Sequence, residues 1–252
     1  RPGPGRPPLP ATTVGLIRGM AADTPRWGAE RTRGELGKLG IRVARRTVQT
    51  YLHGIRTPRP RGQTWATFLR NHAAEIFVCD FLPVTDLFFR PLYAFFVVAL
   101  ATRRVVHVGV TRHPTDTWVA QQLREATPFD QRPRYLIRDN DGKFGAAFAR
   151  VAEASGIAIL RTPYRVPRAN AVCERFLGSV RRECLDHVLV LGERQIARVL
   201  RAYVDYFNRD RPHKGLAQAI PEPPPGGTGH RAGPIRALPV LGGLHHAYRR
   251  AA

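Results

Sequence analysis

Three acidic residues stand where an apolar run ends or a helical pattern begins. Asp80 lies in the run Ile76–Phe81, Asp139 follows Tyr135–Leu136–Ile137 with one arginine between, and Glu174 falls one turn into a helical pattern starting near Ala169. Hard divalent ions such as Mg²⁺ take carboxylate oxygens and keep waters for a phosphate ligand. Two such ions can activate an attacking oxygen and stabilise the leaving one in an in-line phosphoryl displacement. If the strands carrying Asp80 and Asp139 are neighbours, the two carboxylates face each other across roughly 5 Å. The competing reading is that each acid pairs with a basic neighbour or makes a turn, and for any one acid alone it is the better one. Three acids at suitable element ends are harder to dismiss. Asp141 in RDNDGKF (138–144) reads as a turn residue, and Asp86, past Pro83, is a weaker rival to Asp80.

The elements that must position these acids follow from periodicity. Residues 1–10 (RPGPGRPPLP) are a linker, because proline removes donors and fixes φ. Helical patterns cover 11–22 and 27–40, the second ending at Gly40. In RRTVQTYLHG (45–54), Thr47/Tyr51 and Val48/Leu52 share one face, leaving Arg45, Arg46, Gln49 and Thr50 outward. The spacing predicts a helix-turn-helix DNA-binding module over 11–54, the alternative being a helical hairpin with a solvated basic face. A basic, Pro-rich connector (55–70) leads to an α/β domain over 71–216. Its strands are expected at 76–81, 92–100, 104–110, 134–137 and 157–160, with helices over 114–126, 144–156, 169–186 and 193–208, a mixed α/β order. Residues 217–252 are expected to form a mobile Pro/Gly-rich tail.

Charge points to the partner. Forty basic residues oppose 19 acidic ones, a formal net charge of +21, and Lys38, Lys143 and Lys214 are the only lysines. Such a balance favours nucleic acid, and no amphipathic basic helix with a broad apolar face suggests a membrane instead. On the 169–186 helix, Asn170, Glu174, Gly178, Arg181 and Arg182 form a polar stripe, opposite the apolar stripe Cys173, Leu177, Val180 and Cys184. A glycine in the polar stripe lets a DNA backbone come close while arginines meet its phosphates. Lys143 and Arg175 are further candidates for DNA contact. Three cysteines without CxxC spacing argue against a disulfide framework or zinc site. The longest apolar run, Leu92–Leu100, is too short to span a bilayer. The chain begins at Arg1 and shows no signal peptide, so a preceding segment is expected.

PRWGAERTRGELGKLGIRVARRTVQTYL (25–52), CDF (79–81), RDNDGKF (138–144), PYRVPRANAVCERFLGSVRREC (163–184) and YFNRDRPHKGL (206–216) together resemble bacterial insertion-sequence transposases and retroviral-type integrases, the DDE recombinases. The resemblance spans roughly residues 24–222. It implies an RNase H-like core, a mixed five-stranded sheet with flanking helices, and assigns the catalytic and metal-binding roles to Asp80, Asp139 and Glu174. Thirty-four residues separate the last two, close to the family's usual spacing. It further implies two Mg²⁺ ions, with Mn²⁺ as a substitute, and double-stranded DNA as transposon ends and target. A homodimer or higher oligomer on DNA, at the bacterial nucleoid in the cytoplasm, completes the expectation. His213 is expected to be structural. Members of this family usually carry a further N-terminal helical region, so a DNA-binding fragment or decayed copy is the alternative.

Overall fold

The computed structural model describes residues 8–25, 27–55, 64–128, 132–162, 171–223 and 233–250. The chain divides into two compact units, Arg1–Gln63 and Thr64–Ala252.

The first unit contains α1 (Ala11–Asp23), α2 (Ala29–Lys38) and α3 (Arg45–Ile55). Ile17, Leu36, Val48 and Leu52, one or two per helix, form its buried centre. After α2 the chain turns at Gly40, whose φ of 76° is open to glycine at no steric cost. The Ile41 N–H then donates back to the Leu36 carbonyl at 2.9 Å. Val48 and Leu52 point inward together because they are four residues apart on α3, which leaves Arg45, Arg46, Gln49 and Thr50 exposed.

The second unit opens with α4 (Trp65–Asn71), so the last part of the expected connector is helical. Its first turn is capped by the Thr64 hydroxyl, which accepts from the Thr67 N–H at 3.2 Å. Next come β1 (Ile76–Thr85), β2 (Pro91–Ala99), β3 (Val105–Thr111), α5 (Asp116–Ala126), β4 (Tyr135–Arg138), α6 (Ala146–Ala154), β5 (Ala158–Arg161), α7 (Ala171–Glu183) and α8 (Glu193–Arg209). The strands form one mixed sheet in the order β3-β2-β1-β4-β5. The first three run antiparallel as a meander, and β4 and β5 lie parallel to β1. Alternation along the strands builds two cores. Ile76, Val78, Leu82, Phe96 and Ile137 pack with α7 and α8. Phe77, Cys79, Phe81, Phe95 and Leu136 pack with α5 and α6. At the outer edge, the buried Asn208 amide accepts from Val105 N–H and donates to Val105 C=O, both at 2.9 Å.

Two expectations are corrected. Strand β1 does not stop near Phe81 but continues through Pro83 to Thr85. Only Ile76, Phe77 and Val78 pair with β4, so beyond them β1 has a neighbour on one side only, where a missing N–H is tolerated. The tail is not mobile throughout: β6 (Ile235–Val240) and β7 (His245–Arg250) form an antiparallel hairpin. It is tied to the core where His245 Nε2 meets the Glu183 carbonyl at 2.7 Å. The His245 ring also stacks on Tyr206 at 4.8 Å, and Arg249 pairs with Asp210 at 2.9 Å.

Candidate active site

Strands β1 and β4 set the first two acids level. Ile76, Phe77 and Val78 lie opposite Tyr135, Leu136 and Ile137 in parallel register, and two residues further in that register stand Asp80 and Asp139. Asp139 follows Arg138, the last residue of β4, and alternation puts Asp80 on the face of Val78 and Leu82, the α7–α8 side. On that side α7 is seated by Phe176, whose ring meets Phe96 edge-on at 5.0 Å and Phe207 at 4.8 Å. Phe96 is the β2 partner of Asp80, so this contact brings the first turn of α7, with exposed Glu174, to the same region.

Cys173 is fully buried, and burial pushes its thiol well above the usual range, with Asp80, Cys79, Glu174 and Asp139 adding to the rise. Cys79 is raised likewise by burial, then by Asp80 and Asp139. The donor set is carboxylate oxygen, the chemistry a hard divalent cation takes. Among the described residues, however, no group of three His, Cys, Asp or Glu side chains is close enough to hold a metal ion. Asn170 and the segment entering α7 lie outside the described residues.

The RDNDGKF turn separates the roles of its two aspartates. Asp139 Oδ1 accepts from the Asp141 N–H at 3.1 Å, and Arg138 holds the Asp139 carbonyl at 2.8 Å. Asp141 accepts from the Lys143 N–H at 3.0 Å and from its Nζ at 2.5 Å. Burial would raise the Asp141 carboxyl, but these Lys143 contacts outweigh it and hold it below the usual range. Lys143 in turn lies over the Phe81 and Tyr93 rings, so much of its charge is satisfied within the protein.

Asp116 is a positioning residue that sequence reasoning passed over. From the start of α5 its carboxylate accepts from the N–H groups of Gly145, Ala147 and Phe148 at 2.9, 2.7 and 2.9 Å. It thereby caps α6 and fixes the far end of the turn that begins at Asp139. A side chain at Gly145 would put its Cβ 2.6 Å from Asp116 Oδ2. The only sequence signal was the acid after Thr115 at a helix start; its partner lies about thirty residues away.

The other expected contacts divide. Arg175, Arg181 and Arg182 are exposed on α7. Arg175 Nε donates to the Ala171 carbonyl at 3.1 Å, and Arg181 reaches the Pro83 carbonyl at 3.3 Å. Arg182 leans over Gly178, 3.0 Å from where a Cβ would sit, so that gap is partly filled by the guanidinium. On α3, Thr50 donates back to the Arg46 carbonyl at 3.0 Å, and Arg45 lies 3.8 Å from Glu30. His213 is buried, its Nε2 3.0 Å from the Phe207 carbonyl and its ring edge-on to Phe207. Burial lowers its pKa, and these contacts make it structural.

A mixed sheet in the order β3-β2-β1-β4-β5 with helices on both faces is the RNase H-like architecture of integrase catalytic cores. The chain shares this fold with a chain of the simian T-cell lymphotropic virus intasome bound to PP2A regulatory subunit B56 gamma. The TM-score is 0.50 at 13% identity, covering 92% of this chain and 86% of that one. Residues 155–221 match the family model for the integrase core domain; this span contains Glu174 but neither Asp80 nor Asp139. Two insertion-element proteins align over 121 residues, 48% of this chain. The uncharacterized 39.2 kDa protein of IS476 from Xanthomonas euvesicatoria is 28% identical, with 35% of its length covered. The uncharacterized 31.7 kDa protein of IS407 from Burkholderia multivorans is 27% identical, with 44% covered. This chain therefore spans less than half the length of the curated relatives it matches. These matches make the chain similar to an integrase core domain over part of its length and to insertion-element proteins, in line with the transposases its motifs resemble. Among the described residues no helix is long and apolar enough to cross a membrane.

Proposed function

We propose that this chain is the catalytic part of a DDE-type transposase that cuts DNA at transposon ends and joins them to a target, with Asp80, Asp139 and Glu174 as its essential carboxylates. What supports the reading is the parallel pairing of β1, which carries Asp80, with β4, which ends one residue before Asp139, and the packing of α7, with Glu174 in its first turn, on Phe96, the β2 partner of Asp80. Fold stability does not favour like charges so arranged. The three would hold one or two Mg²⁺ ions (or Mn²⁺), supplying charge neutralisation at the scissile phosphate and an activated water or 3′-hydroxyl. Arg175, Arg181 and Arg182 would meet neighbouring phosphates, and Phe176 and Cys173 seal the floor beneath against water. Arg45, Arg46 and Gln49 would face DNA from the first unit. Holding two ends together requires at least a dimer, working at the nucleoid in the cytoplasm.

The second reading, a DNA-binding fragment without catalysis, is favoured by the absence of a closed metal group among the described residues. A strand-joining assay with a pre-cut duplex end and Mg²⁺ separates the two. Asp139→Asn should lower joining at least a thousandfold, ~4 kcal/mol in barrier, with duplex binding intact or tighter. Asp141→Asn should keep most activity; the reverse pattern would move the metal site to Asp141. A wild-type chain that binds DNA but never joins it supports the second reading. Arg46→Ala should cost ~1–3 kcal/mol on transposon-end duplex only if it reads a base, whereas a phosphate contact weakens all duplexes alike and flattens the salt dependence.

A further inference from the structure

The β1–β2 turn presents two aromatic rings to solvent. Phe88 is 65% exposed and Phe89 89% exposed. Phe89 also holds a left-handed backbone with φ of 58°, a conformation in which a bulky L residue is an outlier. The turn is rigidly built underneath. Asp86 Oδ1 accepts from the Phe88 and Arg90 N–H groups, both at 2.9 Å. Its Oδ2 accepts from Arg90 Nε at 3.1 Å and Arg112 Nη2 at 2.6 Å. Leu87 N–H donates to the Val190 carbonyl at 2.8 Å, joining the turn to the α7–α8 connection, where Leu189 and Leu191 are also exposed. A buried acid thus braces a turn that holds two rings out of the core.

Position and charge indicate what meets them. Strand β1 runs from Asp80 to Thr85 at about 3.3 Å per residue, so the turn begins roughly 17 Å beyond the candidate active site, about five base steps of duplex DNA at 3.4 Å each. Arg181 lies along this path, bonded to Pro83. Around the rings the charge is positive: Arg90 stacks over Phe88 at 5.0 Å, Arg112 stands beside it, and Asp86, their nearest acid, is buried with its oxygens engaged. A second copy meeting this patch face to face would set these arginines against their own equivalents. DNA offers phosphates for the arginines and flat bases for the rings.

We propose that Phe88 and Phe89 form a base-stacking wedge, a binding site for unstacked nucleobases on DNA held at the candidate active site. The inference rests on the reading of the chain as a DNA-acting enzyme. Its ligand is a base, and its effect is to favour DNA whose pairing is already broken near the reacting phosphate, because unstacking is then less costly.

The test compares binding of the full chain to a duplex with three adjacent mismatches and to its fully paired counterpart, for wild type and Phe88→Ala/Phe89→Ala. Both rings are exposed, so the double variant folds. Wild type should favour the mismatched duplex by at least about tenfold, and the variant should bring the ratio close to one. The salt dependence, set by arginine–phosphate contacts, should not change. A preference equal in wild type and variant overturns the wedge while leaving the functional reading intact. So does a variant that loses self-association in sedimentation yet keeps its preference, which would make the patch a contact between copies. Failure of the wild-type chain to bind either duplex overturns the functional reading, and the wedge with it.

Discussion

Asp80 and Asp86 are six residues apart in sequence, one inside β1 and one just past its end, and their surroundings differ. Asp86 is enclosed by four donors, two backbone N–H groups and two guanidinium contacts. Burial alone would raise its pKa, but those donors bring it down to about 2. Asp80 accepts from its neighbour Phe81 N–H at 2.8 Å, lies level with Asp139, and adds its charge to those acting on Cys173. An acid surrounded by donors stabilises the place where it sits. If, as proposed, Asp80 acts with Asp139 and Glu174, its charge would be met by a cation from outside.

The largest effect should come from exchanging the two substitutions. Asp80→Asn should reduce Mg²⁺-dependent strand joining at least a thousandfold, ~4 kcal/mol, with a melting temperature unchanged or raised, since a like charge is removed. Asp86→Asn should do the reverse: the melting temperature falls, and joining by the folded protein drops by no more than about tenfold, the share a stacking wedge supplies. Equal loss of joining in both variants would erase the distinction.

Asp116 extends the comparison to a cap. Asp116→Ala should destabilise the second unit by ~1 kcal/mol, and Asp116→Asn by less, because one acceptor oxygen remains. Thermal melts check both, and a smaller effect for Ala than for Asn would contradict the capping role.

The smallest effect is in acid. Burial alone would also raise Asp116, but the N–H groups of Phe148, Ala147 and Gly145 outweigh it, so this carboxyl, like Asp86, is depressed when folded. Such groups contribute stability that is complete above the unfolded value of about 3.9 and is lost as pH falls through the folded one. For Asp86 the loss runs from about pH 4 down to about 2. Melting curves across that window should fall steeply for wild type and more gently for Asp86→Asn.

Most of the second unit could be read from periodicity, because β1, β2 and β4 bury alternate residues against two helical layers and each strand carries its own pattern. The level placement of Asp80 and Asp139 was readable for the same reason, once β1 and β4 were taken as neighbours. What escaped depended on contacts distant in sequence. The bond from Asp116 to the start of α6 spans two elements, and the extension of β1 through Pro83 depends on β4 being short. The C-terminal hairpin was hidden by the Pro/Gly-rich run before it, and its anchors, Glu183, Tyr206 and Asp210, lie in or just after α7 and α8. The rings of Phe81 and Tyr93 beneath Lys143 were equally invisible in the sequence, where only its charge could be read.

Asn208 has a consequence for how this protein behaves in concentrated solution. An outer strand with free N–H and C=O groups invites a strand from another molecule to add on, the usual route to edge-to-edge aggregation. By bonding both backbone groups of Val105, the Asn208 side chain imitates one residue of such a strand and occupies its place. The sheet is blocked from growing sideways there, which keeps copies at high concentration from joining edge to edge.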